Sequence, residues 1–108
     1  MNKYRNTKIK TEVGIFDSKK EYSRFNELVL LQRAGVISDL RRQVRFELVP
    51  KSNTERAAYY VADFTYKKAD GKMICEDVKS EMTRKLPLYI LKRKLMKWRN
   101  PDYIFLET

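Results

Sequence analysis

The sequence predicts a mixed α/β domain, a four-stranded sheet flanked by two helices in the order helix, three strands, helix, strand. Three observations carry this. An amphipathic run opens on the capping-box spacing Ser18-x-x-Glu21 and stops at Gly35. Three β-prone stretches follow, at Val44–Leu48, Ala58–Tyr66 and Met73–Lys79. A second helical run begins at Pro87 and stops at Asn100-Pro101, leaving a short apolar strand at Tyr103–Leu106.

Each element has a local reason. Residues 1–11 are polar and basic (Lys3, Arg5, Lys8, Lys10) and are expected to be a flexible N-terminus, with residues 12–108 forming a single domain. Glu12 to Phe16 reads as a short extended piece. Tyr22, Phe25, Leu28, Val29 and Gln32 recur at helical intervals, so a helix is expected over 18–34 with Gly35 just past its end. Val44, Phe46 and Leu48 alternate with Arg45 and Glu47 until Pro50 ends the strand. Asp70-Gly71 marks a hairpin turn between the next two strands. Ser80 to Lys85 reads as a polar, mobile connection. In the second helix Leu88, Leu91, Leu95 and Trp98 make one apolar stripe, the kind that faces a core, and basic residues cover the rest. Tyr103 to Leu106 reads as a buried strand. The first three strands are expected as an antiparallel meander, with the last joined in parallel to the third by a right-handed helical crossover.

Composition narrows the chemistry. The 108 residues hold 24 Lys and Arg against 14 acids, a formal net charge of +10, which favours a polyanionic partner and above all nucleic acid. Cys75 is the only cysteine and there is no histidine. That excludes an internal disulfide, a Cys-based zinc site and Ser-His-Asp or Cys-His catalysis. A bound metal must be hard and oxygen-ligated: Mg²⁺, Mn²⁺ or Ca²⁺. No apolar run has the length of a membrane span and the start of the chain lacks a signal-peptide core, so a reducing cytoplasm is the expected compartment and no membrane partner is expected.

Asp63, Asp77 and Lys79 form the constellation that carries chemistry. Asp77 and Lys79 stand two apart on one strand and share a face. Asp63 joins them only if the hairpin pairs 63 with 77, which makes Ala69-Asp70-Gly71 a three-residue loop with Gly71 in the left-handed position. A two-residue Asp70-Gly71 turn puts Asp63 on the other face. The favourable register gives a face of Tyr59, Val61, Asp63, Cys75, Asp77 and Lys79, opposite Tyr60, Phe64, Ile74 and Val78. Glu76 falls on the second face, so Asp77 is preferred as the ligand. Asp63 is the more telling acid, because a carboxylate among Tyr59, Tyr60, Val61, Phe64 and Tyr66 needs a cation or hydrogen bonds. Glu21 has two readings, a capping residue or a third carboxylate beside the sheet. Gln43 is either an exposed strand-start amide or a hydrogen-bonding group near the metal.

These residues, in this element order, resemble the PD-(D/E)xK nuclease superfamily with its restriction-endonuclease-like αβββαβ core. Glu21 in Phe16-Asp17-Ser18-Lys19-Lys20-Glu21 matches the helical acid, Asp63 in Tyr60-Val61-Ala62-Asp63-Phe64 the first strand acid, and Asp77-Val78-Lys79 the acid-x-lysine. Gln43 matches a glutamine of some branches. Ala62 stands where the superfamily's namesake has proline. The resemblance covers about residues 12–107 and extends to a small phage-encoded branch, which implies the cytoplasm of a bacterial host. It implies that Asp63 and Asp77 bind Mg²⁺ (or Mn²⁺) with Glu21 assisting, and that Lys79 orients the attacking water. The implied activity is metal-dependent endonucleolytic hydrolysis of DNA, including branched DNA in phage replication or recombination. Lys92 and Arg93 on the second helix are expected to meet phosphates, against the reading of a solvated helix face, and Arg84 and Lys85 in the connection after the catalytic strand are expected to contact DNA and order on binding. A homodimer suits the cutting of two strands. The competing readings are a non-catalytic nucleic-acid-binding module with the same fold and a small inhibitor of a host factor.

Overall fold

The computed structural model describes residues 8–108. Helix α1 spans Lys19–Arg33. Ser18 caps it, its Oγ accepting the Glu21 N–H at 3.1 Å. At the other end Ala34 is followed by Gly35 at φ +79°. The Gly35 N–H reaches the Gln32 carbonyl and the Val36 N–H reaches that of Leu31, which closes a Schellman motif.

Four strands make the main sheet: β3 (Ile37–Val49), β4 (Ala58–Lys68), β5 (Met73–Asp77) and β6 (Tyr103–Glu107), in that spatial order. β3, β4 and β5 run antiparallel, while β6 lies parallel to β5. The sheet is therefore mixed, as the sequence predicts. Helix α3 (Pro87–Arg99) makes the crossover that a parallel connection requires. Phe64 faces Glu76 and Tyr66 faces Ile74 across the β4–β5 hairpin. The Lys68 N–H donates to the Lys72 carbonyl at 2.9 Å, and Gly71 sits at φ +86°. This is the three-residue loop, and its register sets Asp63 against Asp77.

Two apolar clusters cover the two sides of the sheet. Ile74 belongs to one and its neighbour Cys75 to the other, as strand alternation requires. On one side α1 packs Leu28 against Ile37, Phe64, Tyr66, Ile74 and Val78. On the other α3 packs Met96 against Leu48, Tyr60, Ala62 and Cys75. Tyr60, Ala62, Phe64 and Tyr66 are all even-numbered, yet the first two face α3 and the last two face α1. Alternation thus slips by one residue beside Asp63. This corrects the expected faces: Val61 is exposed and Tyr60 lies on the side of Cys75. The partner strand shows the cause. Gln43 lies between the Arg42–Phe64 and Val44–Ala62 pairs, opposite Asp63, and takes a left-handed φ of 52°.

Other differences are local. A hairpin of β1 (Ile9–Thr11) and β2 (Gly14–Phe16) pairs residues 9–11, which were expected to be loose. Thr11 Oγ1 donates to the Gly14 carbonyl and closes its turn. Residues 1–7 of the expected flexible segment lie outside the described residues. β3 starts at Ile37 rather than Val44, because pairing with β4 holds a stretch of polar residues that has no apolar alternation. Ser80 caps a one-turn helix, α2 (Glu81–Arg84), where a mobile connection was expected. The stripe on α3 is not its buried face: Leu88, Leu91 and Trp98 are exposed, and Met96 is its buried residue. β6 is an edge strand with Ile104 and Leu106 partly open to solvent.

Candidate active site

The first turn of α1 delivers Glu21 to the sheet. Its Oε2 accepts the Asp17 N–H at 3.0 Å, and its Oε1 accepts Gln43 Nε2–H at 3.1 Å. One oxygen thus ties down the chain one residue before the Ser18 cap, rather than the cap itself, and the other faces the sheet. Gln43 likewise uses its amide toward the site. Its left-handed backbone costs about 1–2 kcal/mol in a residue other than glycine, and the side-chain bond to Glu21 accompanies that cost. Arg42, which carried no signal in the sequence, places Nη2 at 3.9 Å from Glu21 Oε1 and its guanidinium 3.7 Å from the Phe16 ring centre. Burial pushes the Glu21 carboxyl above its ordinary range, and the nearby Asp63 adds to the shift.

Asp63 and Asp77 hold one another across the hairpin. The Asp63 N–H donates to Asp77 Oδ1 at 3.1 Å, and the Val78 N–H donates to Asp63 Oδ2 at 2.8 Å. Lys79 Nζ lies 3.5 Å from Asp63 Oδ2 and 3.8 Å from Asp77 Oδ1. Two acids and the amine thus converge. Burial raises both carboxyls, and the Lys79 charge opposes the rise. The two acids differ in access. Asp77 is fully buried, and Tyr60 O–H donates to its Oδ2, so both of its oxygens are engaged by protein groups.

Among the described residues a different third acid gathers with Glu21 and Asp63. Asp17, Glu21 and Asp63 each offer an oxygen within 4.8 Å of the others. Asp77 does not join this cluster. Asp17 precedes the helix cap and stands four residues before Glu21, but only the fold shows that its exposed carboxylate comes beside Glu21 and Asp63. Asp17, Ser18, Glu21, Asp63 and Lys79 line a cleft of about 100 Å³ together with Val78, Ser80 and, from α2, Thr83. The carboxylates form a hard oxygen donor set of the type that suits Mg²⁺ or Mn²⁺.

The remaining predicted residues are spread out. Glu76 lies on the α1 side, as expected, held by Arg24, Tyr66 and Thr108. Arg84 donates to the Thr108 carbonyl, and Arg93 lies 3.7 Å from Glu107. Lys85 is exposed beside Glu81, and Lys92 is half-buried on α3. Lys20, which carried no signal in the sequence, donates to the Lys79 carbonyl at 3.5 Å and lines a neighbouring groove with Arg24 and Val78.

Fold and site together define a mixed α/β domain with an acid-and-lysine cleft where the first helix meets the central hairpin. The chain belongs to the family described as "Protein of unknown function (DUF1064)", whose model matches residues 1–106. No curated protein and no solved structure matches it. Among the described residues no helix is long and apolar enough to cross a membrane.

Proposed function

We propose that the chain is a metal-dependent DNA endonuclease of the PD-(D/E)xK type. The observation that carries this reading is the convergence of Asp17, Glu21 and Asp63 in one cleft with Lys79 Nζ 3.5 Å from Asp63. Asp17, Glu21 and Asp63 would hold Mg²⁺ or Mn²⁺. When bound, the ion supplies charge stabilisation and a more acidic water. Lys79 orients the attacking water and neutralises negative charge developing on the phosphate. Asp77 is a positioning residue: it fixes the Asp63 backbone and counterbalances Lys79 from the buried side. The net charge of +10 supports a polyanionic substrate, with Lys20, which reaches the Lys79 backbone, as a phosphate contact.

The test incubates the purified chain with linear, nicked, single-stranded and four-way-junction DNA in Mg²⁺, Mn²⁺ or EDTA. Metal-dependent cleavage that falls at least about 100-fold in Asp63→Asn and Lys79→Ala is the expected result. Equal cleavage by both variants and wild type refutes the assignment. One observation favours a non-catalytic nucleic-acid-binding module instead, namely that both oxygens of Asp77 are taken by Tyr60 and Asp63. DNA binding without cleavage in every metal is the result that selects it.

A further inference from the structure

Helix α3 carries its strongest apolar stripe toward solvent. Leu88 is 65% exposed, Leu91 55% and Trp98 75%, while Leu95 is partly buried between them. Their spacing of three, four and three residues places them on one narrow seam of the helix, as in a coiled-coil face. The helix is anchored through a different line: Met96 is buried, and Tyr89, seven residues earlier, packs on the same cluster and donates its hydroxyl to Glu107. The stripe therefore contributes little to holding this domain together.

Charge says what fits it. At 3.6 residues per turn Lys92 and Arg99 border the seam on one side and Lys94 on the other, and α3 contains no acid. A second copy of the chain laid along the seam would set these cations against their own kind. Leucine side chains give nothing to a phosphate backbone, so DNA would leave the stripe unused. A helix with an apolar seam and acidic borders satisfies both features together.

We propose that the Leu88–Trp98 face of α3 is a docking surface for an acidic amphipathic helix of another protein. The surface is separate from the acid-and-lysine cleft, and the proposal does not depend on nuclease activity. Leu91 and Trp98 are the apolar anchors, and Lys92, Lys94 and Arg99 select the acidic borders.

The test uses the whole chain and three synthetic helical peptides with the same leucine heptad seam, bordered by glutamate, glutamine or lysine. Calorimetry or fluorescence anisotropy is expected to rank glutamate above glutamine above lysine, with at least a tenfold step from first to last. Added salt is expected to narrow that gap. Trp98→Ala and Leu91→Ser are expected to weaken the glutamate peptide at least tenfold while circular dichroism shows an unchanged fold. Lys94→Glu is expected to reverse part of the ranking and so separates charge selection from simple greasiness. Equal affinity for the three peptides overturns the proposal. So does self-association of the chain that Trp98→Ala abolishes, or duplex DNA binding lost in Trp98→Ala with no peptide bound.

Discussion

Replacing Arg24 by methionine tests how the site is built as well as how stable the fold is. Arg24 Nε lies 2.6 Å from Glu76 Oε2, and Arg24 Nη2 donates to Oε1 at 3.0 Å. Glu76 is fully buried, while the Arg24 side chain keeps 24% of its surface in solvent. Breaking one side of a buried pair costs about 3–5 kcal/mol, because the remaining charge is stranded. Here Tyr66 and Thr108 still donate to Glu76, at 2.6 and 3.0 Å, so the lower end applies, about 3 kcal/mol. Against a total of about 5–15 kcal/mol for a domain, that is a large share. Urea denaturation of wild type, Arg24→Met and the double variant Arg24→Met/Glu76→Met measures it. The double variant should recover most of the loss, since an apolar pair of similar volume replaces two desolvated charges. A single-variant cost below about 1 kcal/mol, or a double variant no better than the single, would refute the reasoning. The consequence reaches the cleft because Arg24 stands one turn after Glu21 and Glu76 adjoins Asp77. This pair fixes α1 against β5 and so fixes the distance between the helical and strand acids.

Three further outcomes are expected. Millimolar Mn²⁺ should raise the melting temperature of wild type at pH 8 and leave Asp63→Asn unmoved in a thermal-shift assay; at a hundredfold excess over Kd the gain is about 2.7 kcal/mol. A wild-type melting temperature that does not respond to Mn²⁺ counts against the metal assignment. The carboxyls of Glu21, Asp63 and Asp77 are raised in the fold, so their stabilising contribution is complete below the ordinary carboxylate pKa of about 4 and is lost as pH rises through the raised values. The urea midpoint of wild type should therefore decline across that window more steeply than that of Asp63→Asn, and parallel profiles would contradict the desolvation argument. On α3, Met96→Ala should cost about 2–5 kcal/mol and Trp98→Ala less than about 0.5 kcal/mol by chemical denaturation. The reverse ranking would mean that the helix packs through its leucine–tryptophan stripe.

Local signals gave the element order its legibility. Ser18 and Gly35 bracket α1 because a hydroxyl cap and a left-handed glycine satisfy the orphaned groups of a helix wherever it sits. Gly71 chose the three-residue loop, and that choice alone fixed Asp63 opposite Asp77. What stayed hidden needed contacts between distant parts of the chain. The slip in alternation beside Asp63 depends on Gln43, twenty residues earlier, adopting a backbone angle that no side-chain pattern announces.

The sequence by itself determined the order of the two long helices and the four strands of the main sheet, and which strand acids the hairpin brings together, because capping, turn geometry and strand period act over a few residues. Tertiary structure decided which oxygens face the cleft. Tyr60 and the Asp63 amide occupy the carboxylate of Asp77, while the chain entering α1 brings in Asp17. It also decided which face of α3 is buried. Helical periodicity gives the direction of an apolar stripe around its own axis, but only the anchoring of Tyr89 and Met96 on the sheet sets how that axis is rotated.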